Sequence, residues 1–222
     1  MDINFFRTSF NADPNIGLYG FATEKYCLLG FEPQEKIRKE IEKNLGVKII
    51  FSSVAGTQLS GLFSVGNSNG IIVSKITEKH ELENLKNHFE NILVLNSDFT
   101  CTGNLILVND KAAIISQHLK KFSKEISDCL GVPVEAGTVA GLEIVGSAAA
   151  ATNLGCLCHP SASEEEMKKI QEFLKVKVDV GTTNYGSPFV KAGLLANSRG
   201  FIASEISSGP ELGRIADVFG KQ

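Results

Sequence analysis

Apolar and polar positions along the chain follow two alternating periods. Five short apolar runs each come just after a turn: YCLLG at 26–30, GIIVS at 70–74, AAIIS at 112–116, GCLCH at 155–159 and GFIAS at 200–204. Each is short, rich in β-branched or small apolar residues and bounded by turn residues, so each predicts a buried strand. A stretch with apolar residues at helical spacing follows each run. The stripes are Ile37, Ile41, Leu45; Leu82, Leu85, Phe89; Leu119, Phe122, Ile126, Leu130; Met167, Ile170, Leu174; and Leu212, Ile215, Phe219. They predict five amphipathic helices. Ser163 with Glu166, and Ser208 with Glu211, have capping-box spacing, and Gly46, Gly131 and Gly220 stand where helices should stop. A further strand is predicted after four of the helices, at VKIIF (47–51), NILVL (91–95), VPVEA (132–136) and VKVDV (176–180).

The starts of the five apolar runs lie 42 to 45 residues apart. Two further markers keep the same register. Gly17, Gly61, Gly103 and Gly146 precede the turn residues Lys25, Asn69, Lys111 and Leu154 by eight positions, and Lys191 replaces the glycine in the fifth copy, eight before Arg199. Six residues past that marker stand Thr23, Asn67, Asn109, Thr152 and Asn197. Self-similarity at such a period predicts a repeat architecture. Each copy reads strand, turn, strand, helix, strand, with boundaries near 11–54, 55–98, 99–139, 140–180 and 181–222. The fifth helix has no strand after it, whereas INFFRTSF (3–10) is a strand without a helix before it. The economical solution is a single α/β domain, 1–222, closed into a five-membered ring by the N-terminal strand. Closure should also remove the sheet edges that an open array would leave.

Composition narrows the function. The formal net charge is −3, and most charged residues fall in the helical windows, leaving strands and turns charge-poor. That favours a protein-binding loop face over one that grips phosphates. No apolar stretch approaches the ~20 residues of a membrane span. The N-terminus MDINFFRTSFNADPN lacks the basic and apolar regions of a signal peptide, and five irregularly spaced cysteines do not make a disulfide framework. A cytoplasmic location is expected.

Blocks along the whole chain carry a resemblance: AGTQLSGLFSVGNSNGIIV (55–73), TGNLILVND (102–110), AGTVAGLEIVGS (136–147), TNLGCLCHP (152–160), GTTNYGS (181–187) and SSGPELGRIADVF (207–219). Together they are similar to the archaeal translation initiation factor 6 family. The family's His-Pro ending of the second hairpin strand survives at His159-Pro160 but not after Val73 or Ser116, and the C-terminal extension of eukaryotic relatives is lacking. The resemblance implies a five-bladed pentein ring that binds the large ribosomal subunit near the sarcin-ricin loop and so keeps the small subunit off. It implies a ribosomal protein as main contact with ribosomal RNA adjacent, a monomer, no cofactor and no covalent chemistry. The family's ribosome-facing surface includes the asparagine after the third glycine, here Asn104 beside Gly103. Asn15, Asn67, Asn109, Asn153 and Asn184 sit in comparable turns, and Lys25, Lys111, Lys191 and Arg199 stand at repeat markers that could meet RNA phosphates.

Pentein rings also house guanidine-modifying hydrolases, which need a thiolate, a histidine and carboxylates. The segment after Gly181, where that family keeps its cysteine, has none. Cys156, Cys158 and His159 offer three metal-ligand types without a fourth, and small buried residues in a tight sheet are the reading adopted. A repeat ring binding a non-ribosomal protein is separated from the first reading by the family blocks alone.

Overall fold

The computed structural model describes residues 3–220. Five three-stranded sheets follow one another along the chain. In each, a middle strand pairs antiparallel with an inner strand and parallel with a third. The first unit has Gly20–Ala22, Tyr26–Leu29 and Lys48–Phe51; the second has Ser64–Gly66, Ile71–Ser74 and Ile92–Leu95. The third has Ile106–Val108, Ala113–Ile115 and Val134–Ala136; the fourth has Ala149–Ala151, Gly155–Cys158 and Lys177–Val180. In the fifth, Leu194–Asn197 and Gly200–Ser204 take Asn4–Thr8 as third strand, in parallel register from Asn4 opposite Gly200 to Thr8 opposite Ser204. Middle strands are buried on both faces, which is why they read as continuous rather than alternating apolar runs.

The crossover from middle to third strand carries a helix in the first four units, and Gly209–Phe219 follows the middle strand of the fifth. Each helix buries its apolar stripe, for example Ile41 with Leu45 or Ile170 with Leu174. Burying one such side chain stabilises by about 2 kcal/mol, whereas a cap contributes about 1, so the stripe dominates. Both expected capping boxes form, and Glu78 with Glu81 makes a third. The third helix departs from expectation. Gln117–Phe122 is a 3-10 segment and the α-helix begins at Ser123. Ser116 accepts from the His118 N–H, and three residues per turn put Leu119 and Phe122 on one side. Gly46 and Gly131 end their helices at positive φ, but Gly220 does so in extended conformation.

The hydrophobic core is divided among the units. One cluster combines the helix of the fourth unit with Leu107, Ala112 and Ile114 of the third; another combines Ile41 and Leu45 of the first with Leu195 and Ile202 of the fifth. The remaining clusters bridge the other neighbours, so packing runs in cyclic order. Hydrogen bonds between units follow the same order. Asn67 Nδ2 donates to the carbonyls of Asn109 and Leu130, Asn109 Nδ2 to those of Thr152 and Leu174, and Asn197 Nδ2 to those of Thr23 and Leu45 at 2.9 and 2.8 Å. Each asparagine Oδ1 meanwhile accepts two N–H groups of its own hairpin turn. Thr23 and Thr152 organise their turns in the same way but have no amide to send onward. Tyr26 Oη fills one of those gaps by donating to the Asn67 carbonyl at 3.1 Å.

One expectation is corrected. The sheets are not joined into one closed sheet, so closure does not abolish their edges. The strands are three to five residues long, and short strands limit edge pairing by themselves.

Asn197→Ala should cost about 3 kcal/mol in urea unfolding, because two buried carbonyls lose their donor and the turn loses its acceptor. Asn197→Thr, the residue found at the equivalent positions 23 and 152, keeps the turn acceptor and should cost less than half as much. Equal losses for the two variants would mean that the inter-unit bonds, not the turn, carry the effect.

Candidate functional site

Each inner strand is preceded by one turn of helix: Ile16–Leu18, Ser60–Phe63, Thr102–Leu105, Val145–Ala148 and Val190–Gly193. These five turns surround a common axis at one end of the inner strands, where they line one cavity, and the five hairpin turns surround it at the other end, where they line another. The glycine marker belongs to the first end. A Cβ on Gly61 would sit 2.3 Å from the Gly17 carbonyl oxygen, one on Gly103 2.0 Å from that of Gly61, and one on Gly146 2.3 Å from that of Gly103. Gly17 in turn faces the Lys191 carbonyl, at 1.9 Å for a Cβ. At these four junctions the turns touch backbone to backbone and no side chain fits between them; the fifth marker position carries Lys191.

Asn104 follows the buried Gly103 and is half-buried at this end. Among the described residues its side-chain amide has no hydrogen-bond partner, and it borders a cavity of about 250 Å³ with Leu18, Ile144, Phe189 and Lys191. Thr102 holds the turn by donating its hydroxyl to the Phe63 carbonyl at 2.7 Å. The Lys191 ammonium donates to the Gly103 carbonyl at 2.6 Å, and burial lowers its pKa to about 8.

Asn15 and Asn184 meet at the rim of the same end. Asn184 Nδ2 donates to Asn15 Oδ1 at 3.1 Å and to the Pro14 carbonyl, while Asn15 Nδ2 donates to Asp13 Oδ1 at 2.9 Å. Asn184 and Tyr185 both have positive φ, a mirror-type turn that leaves Tyr185 82% exposed. Glu211, the capping residue of the last helix, also clamps this turn by accepting from the N–H groups of Tyr185 and Gly186 and from the Thr182 hydroxyl. Burial alone would raise the Glu211 carboxyl, but the donors from Ser208, Gly186 and Thr182 outweigh it and leave its pKa below the usual value. Glu81 and Glu166 play the same double part at Gly56 and Gly141, and their pKa values are lowered likewise.

The remaining candidates lie at the far end and are committed within the chain. Asn67 and Asn109 are buried with both amide atoms bonded within the chain. Asn153 exchanges hydrogen bonds with Asp110, accepting from its N–H at 2.9 Å and donating to Oδ2 at 2.8 Å. Lys111 donates to the carbonyls of Asn153 and Lys175, and Arg199 to that of Gly46 at 3.0 Å. Both cap the C-terminal end of the next unit's helix, where the helix dipole favours a cation. Lys25 is exposed. The candidates therefore divide into two groups: Asn104, Gly103, Lys191, Asn15 and Asn184 at one end, and the rest at the other. The sequence reading did not single out Leu18, Ile144, Phe189 and Tyr185. Apolar residues inside charge-poor turns were the available signal.

Cys156 and Cys158 lie in the core with their sulfurs 3.7 Å apart. Contact with Cys158 and burial hold the Cys156 thiol well above the ordinary thiol value, and burial pushes Cys27 up to about 12. These groups are buried thiols, not thiolate nucleophiles. His159 Nδ1 accepts from the Ser161 N–H, and no cluster of three or more metal-ligand side chains occurs among the described residues.

The profile of the eIF-6 family matches residues 5–218. The protein called translation initiation factor 6 from Pyrococcus abyssi is 40% identical over 221 residues, covering 96% of this chain and 97% of its own. The protein of that name from Methanocaldococcus jannaschii is 38% identical with the same coverage. That from Saccharolobus islandicus is 35% identical over 223 residues, covering 99% of this chain and 100% of its own.

The lowered carboxyls set a direction for acid stability. Their folded pKa values lie below the unfolded ones, so their contribution is complete above about pH 4.3 and fades as pH falls through the folded values. Glu211→Gln should lower the melting temperature at neutral pH, and the gap from the native chain should close as pH falls from about 5 to about 3. A gap that stays constant across that range would assign Glu211 a packing role only.

Proposed function

The chain belongs to the eIF-6 family, and from this we propose that it acts in translation initiation by binding the large ribosomal subunit through the end of its axis that carries Asn104. The choice of end rests on one observation: Asn104 keeps a half-exposed amide with no partner among the described residues, amid an apolar, charge-poor surround. An amide both donates and accepts, which suits pairing with a partner's backbone. The asparagines of the far end have already spent that capacity on neighbouring units.

We read the five units as a pentein ring, a single domain acting as a cytoplasmic monomer. Its main contact would be a ribosomal protein near the sarcin-ricin loop, with ribosomal RNA adjacent, as the family resemblance implies. Anti-association needs no covalent step. The factor occupies surface that the small subunit requires, and linkage makes the exclusion mutual. A specific interface buries about 800 Å² per partner. That is under a tenth of the chain's 9706 Å², so one end of the ring suffices.

Sedimentation with purified ribosomal subunits from a related archaeon tests the reading. The factor should travel with the large subunit alone and inhibit subunit joining; binding to the small subunit, or unhindered joining, would overturn it. Asn104→Ala should weaken large-subunit binding about tenfold, the equivalent of one well-made hydrogen bond, with an unchanged melting temperature.

A further inference from the structure

The repeat breaks its own rule at Lys191. Four inner turns carry glycine because a neighbouring carbonyl occupies the space of a Cβ. The fifth carries a lysine, a long basic side chain. Its backbone still supplies the carbonyl that faces Gly17, but its side chain reaches across the axis to Gly103 in the third unit, which is not its neighbour around the ring.

An ammonium has three N–H donors. That of Lys191 uses one, on the Gly103 carbonyl, and no second acceptor exists for it among the described residues. Two cavities meet at this side chain: one between the inner strands, and the 250 Å³ cavity behind Asn104. Around both, the helical turns and inner strands offer aliphatic groups, Phe21, Phe189, the Asn104 amide and the Ser147 hydroxyl. Lys191 is their only titratable group. A charge in such surroundings without a counter-charge is costly to hold, and the amine's lowered pKa reflects that cost.

We propose that the cavity behind Asn104 receives an acidic side chain of the docking protein, whose carboxylate takes up the free donors of Lys191 while its aliphatic stem packs on Leu18, Ile144 and Phe189. This rests on the reading of the Asn104 end as the docking surface. Charge complementarity selects the occupant: one ammonium, no competing carboxylate and apolar walls fit one carboxylate on a short stem. A phosphodiester backbone brings repeated charges and prefers an open, multiply basic groove.

The test measures large-subunit affinity between pH 6.5 and 9.5 for the native chain, Lys191→Met and Lys191→Arg, with Asn104→Ala as reference. The native affinity should fall several-fold as pH rises past the Lys191 pKa. Lys191→Met should bind at least tenfold more weakly at pH 7 and lose the pH dependence, and Lys191→Arg should keep binding at pH 9.5. Native-like affinity and pH profile in Lys191→Met, with Asn104→Ala still weakened, would overturn the acidic-anchor proposal and leave the docking face standing. A second measurement is independent of the ribosome. N-acetyl-glutamate amide at millimolar concentration should shift the Lys191 side-chain NMR resonances of the free chain and raise the amine's pKa. Shifts produced by inorganic phosphate or an RNA oligonucleotide but not by this probe would assign the site to nucleic acid and overturn the proposal. If the native chain binds no subunit while the probe still titrates Lys191, the function fails and the carboxylate site survives.

Discussion

At the centre of the molecule, the carbonyl oxygen of one inner turn lies against the glycine Cα of the next, with no room for a β-carbon between them. This contact sets the distance at which five wedges can meet, and much else is arranged around it. Inner strands start directly after these turns, so the approach of the turns fixes where each sheet begins. Farther out, Gly70 and Gly200 lie similarly close to the carbonyls of Cys129 and Asn44 at the neighbouring helix ends. Asparagine amides then stitch the same interfaces where the hairpin turns meet the next unit. A small residue at the axis and a two-faced amide at the hairpin are two solutions to one problem. Neighbouring backbones must come close enough to exclude water while their polar groups stay paired.

That demand falls unequally on the two ends of the axis. At the hairpin end, Asn67, Asn109 and Asn197 use both faces of their amides, and Asn153, Lys111 and Arg199 cap turns and helix ends. Such groups hold neighbouring units together and have little left to offer a partner. At the other end the short helical turns meet backbone to backbone, and although Asn15, Asn184 and Thr102 are bonded within the chain, not every polar side chain is drawn into structural duty. Asn104 and the additional donors of Lys191 are the result. The same principle that makes one end rigid leaves the other chemically unsaturated.

Much of this was legible in the sequence, for reasons that can be named. The glycine series was visible because a steric demand repeated in four of the five units leaves the same residue at the same interval. The Thr/Asn series was visible because the hairpin turn needs a side-chain acceptor at that place in every unit. That the N-terminal strand completes the fifth unit followed from counting strands and helices, and the structure adds its parallel register, Asn4–Thr8 against Gly200–Ser204. The second duty of Asn67, Asn109 and Asn197 was not legible, since their amide donors go to carbonyls 42 to 174 residues away. Nothing local distinguishes an asparagine that closes a turn from one that also bridges units. The 3-10 segment at Gln117–Phe122 was hidden for a different reason: Leu119, Phe122 and Ile126 fit either helical period over so short a run.

The sequence by itself determined the unit, its five-fold repetition, the strand exchange between the ends of the chain and the family. Each of these is written in spacing, and spacing survives in one dimension. Only the tertiary structure decided which of several similar turn residues remain free. A polar side chain is available to a partner when no backbone group within reach has claimed it, and reach is a property of the folded chain. Asn104 and Asn109 stand five positions apart with the same side chain. One has an unpaired amide beside a cavity, and the other is buried between units with both atoms bonded.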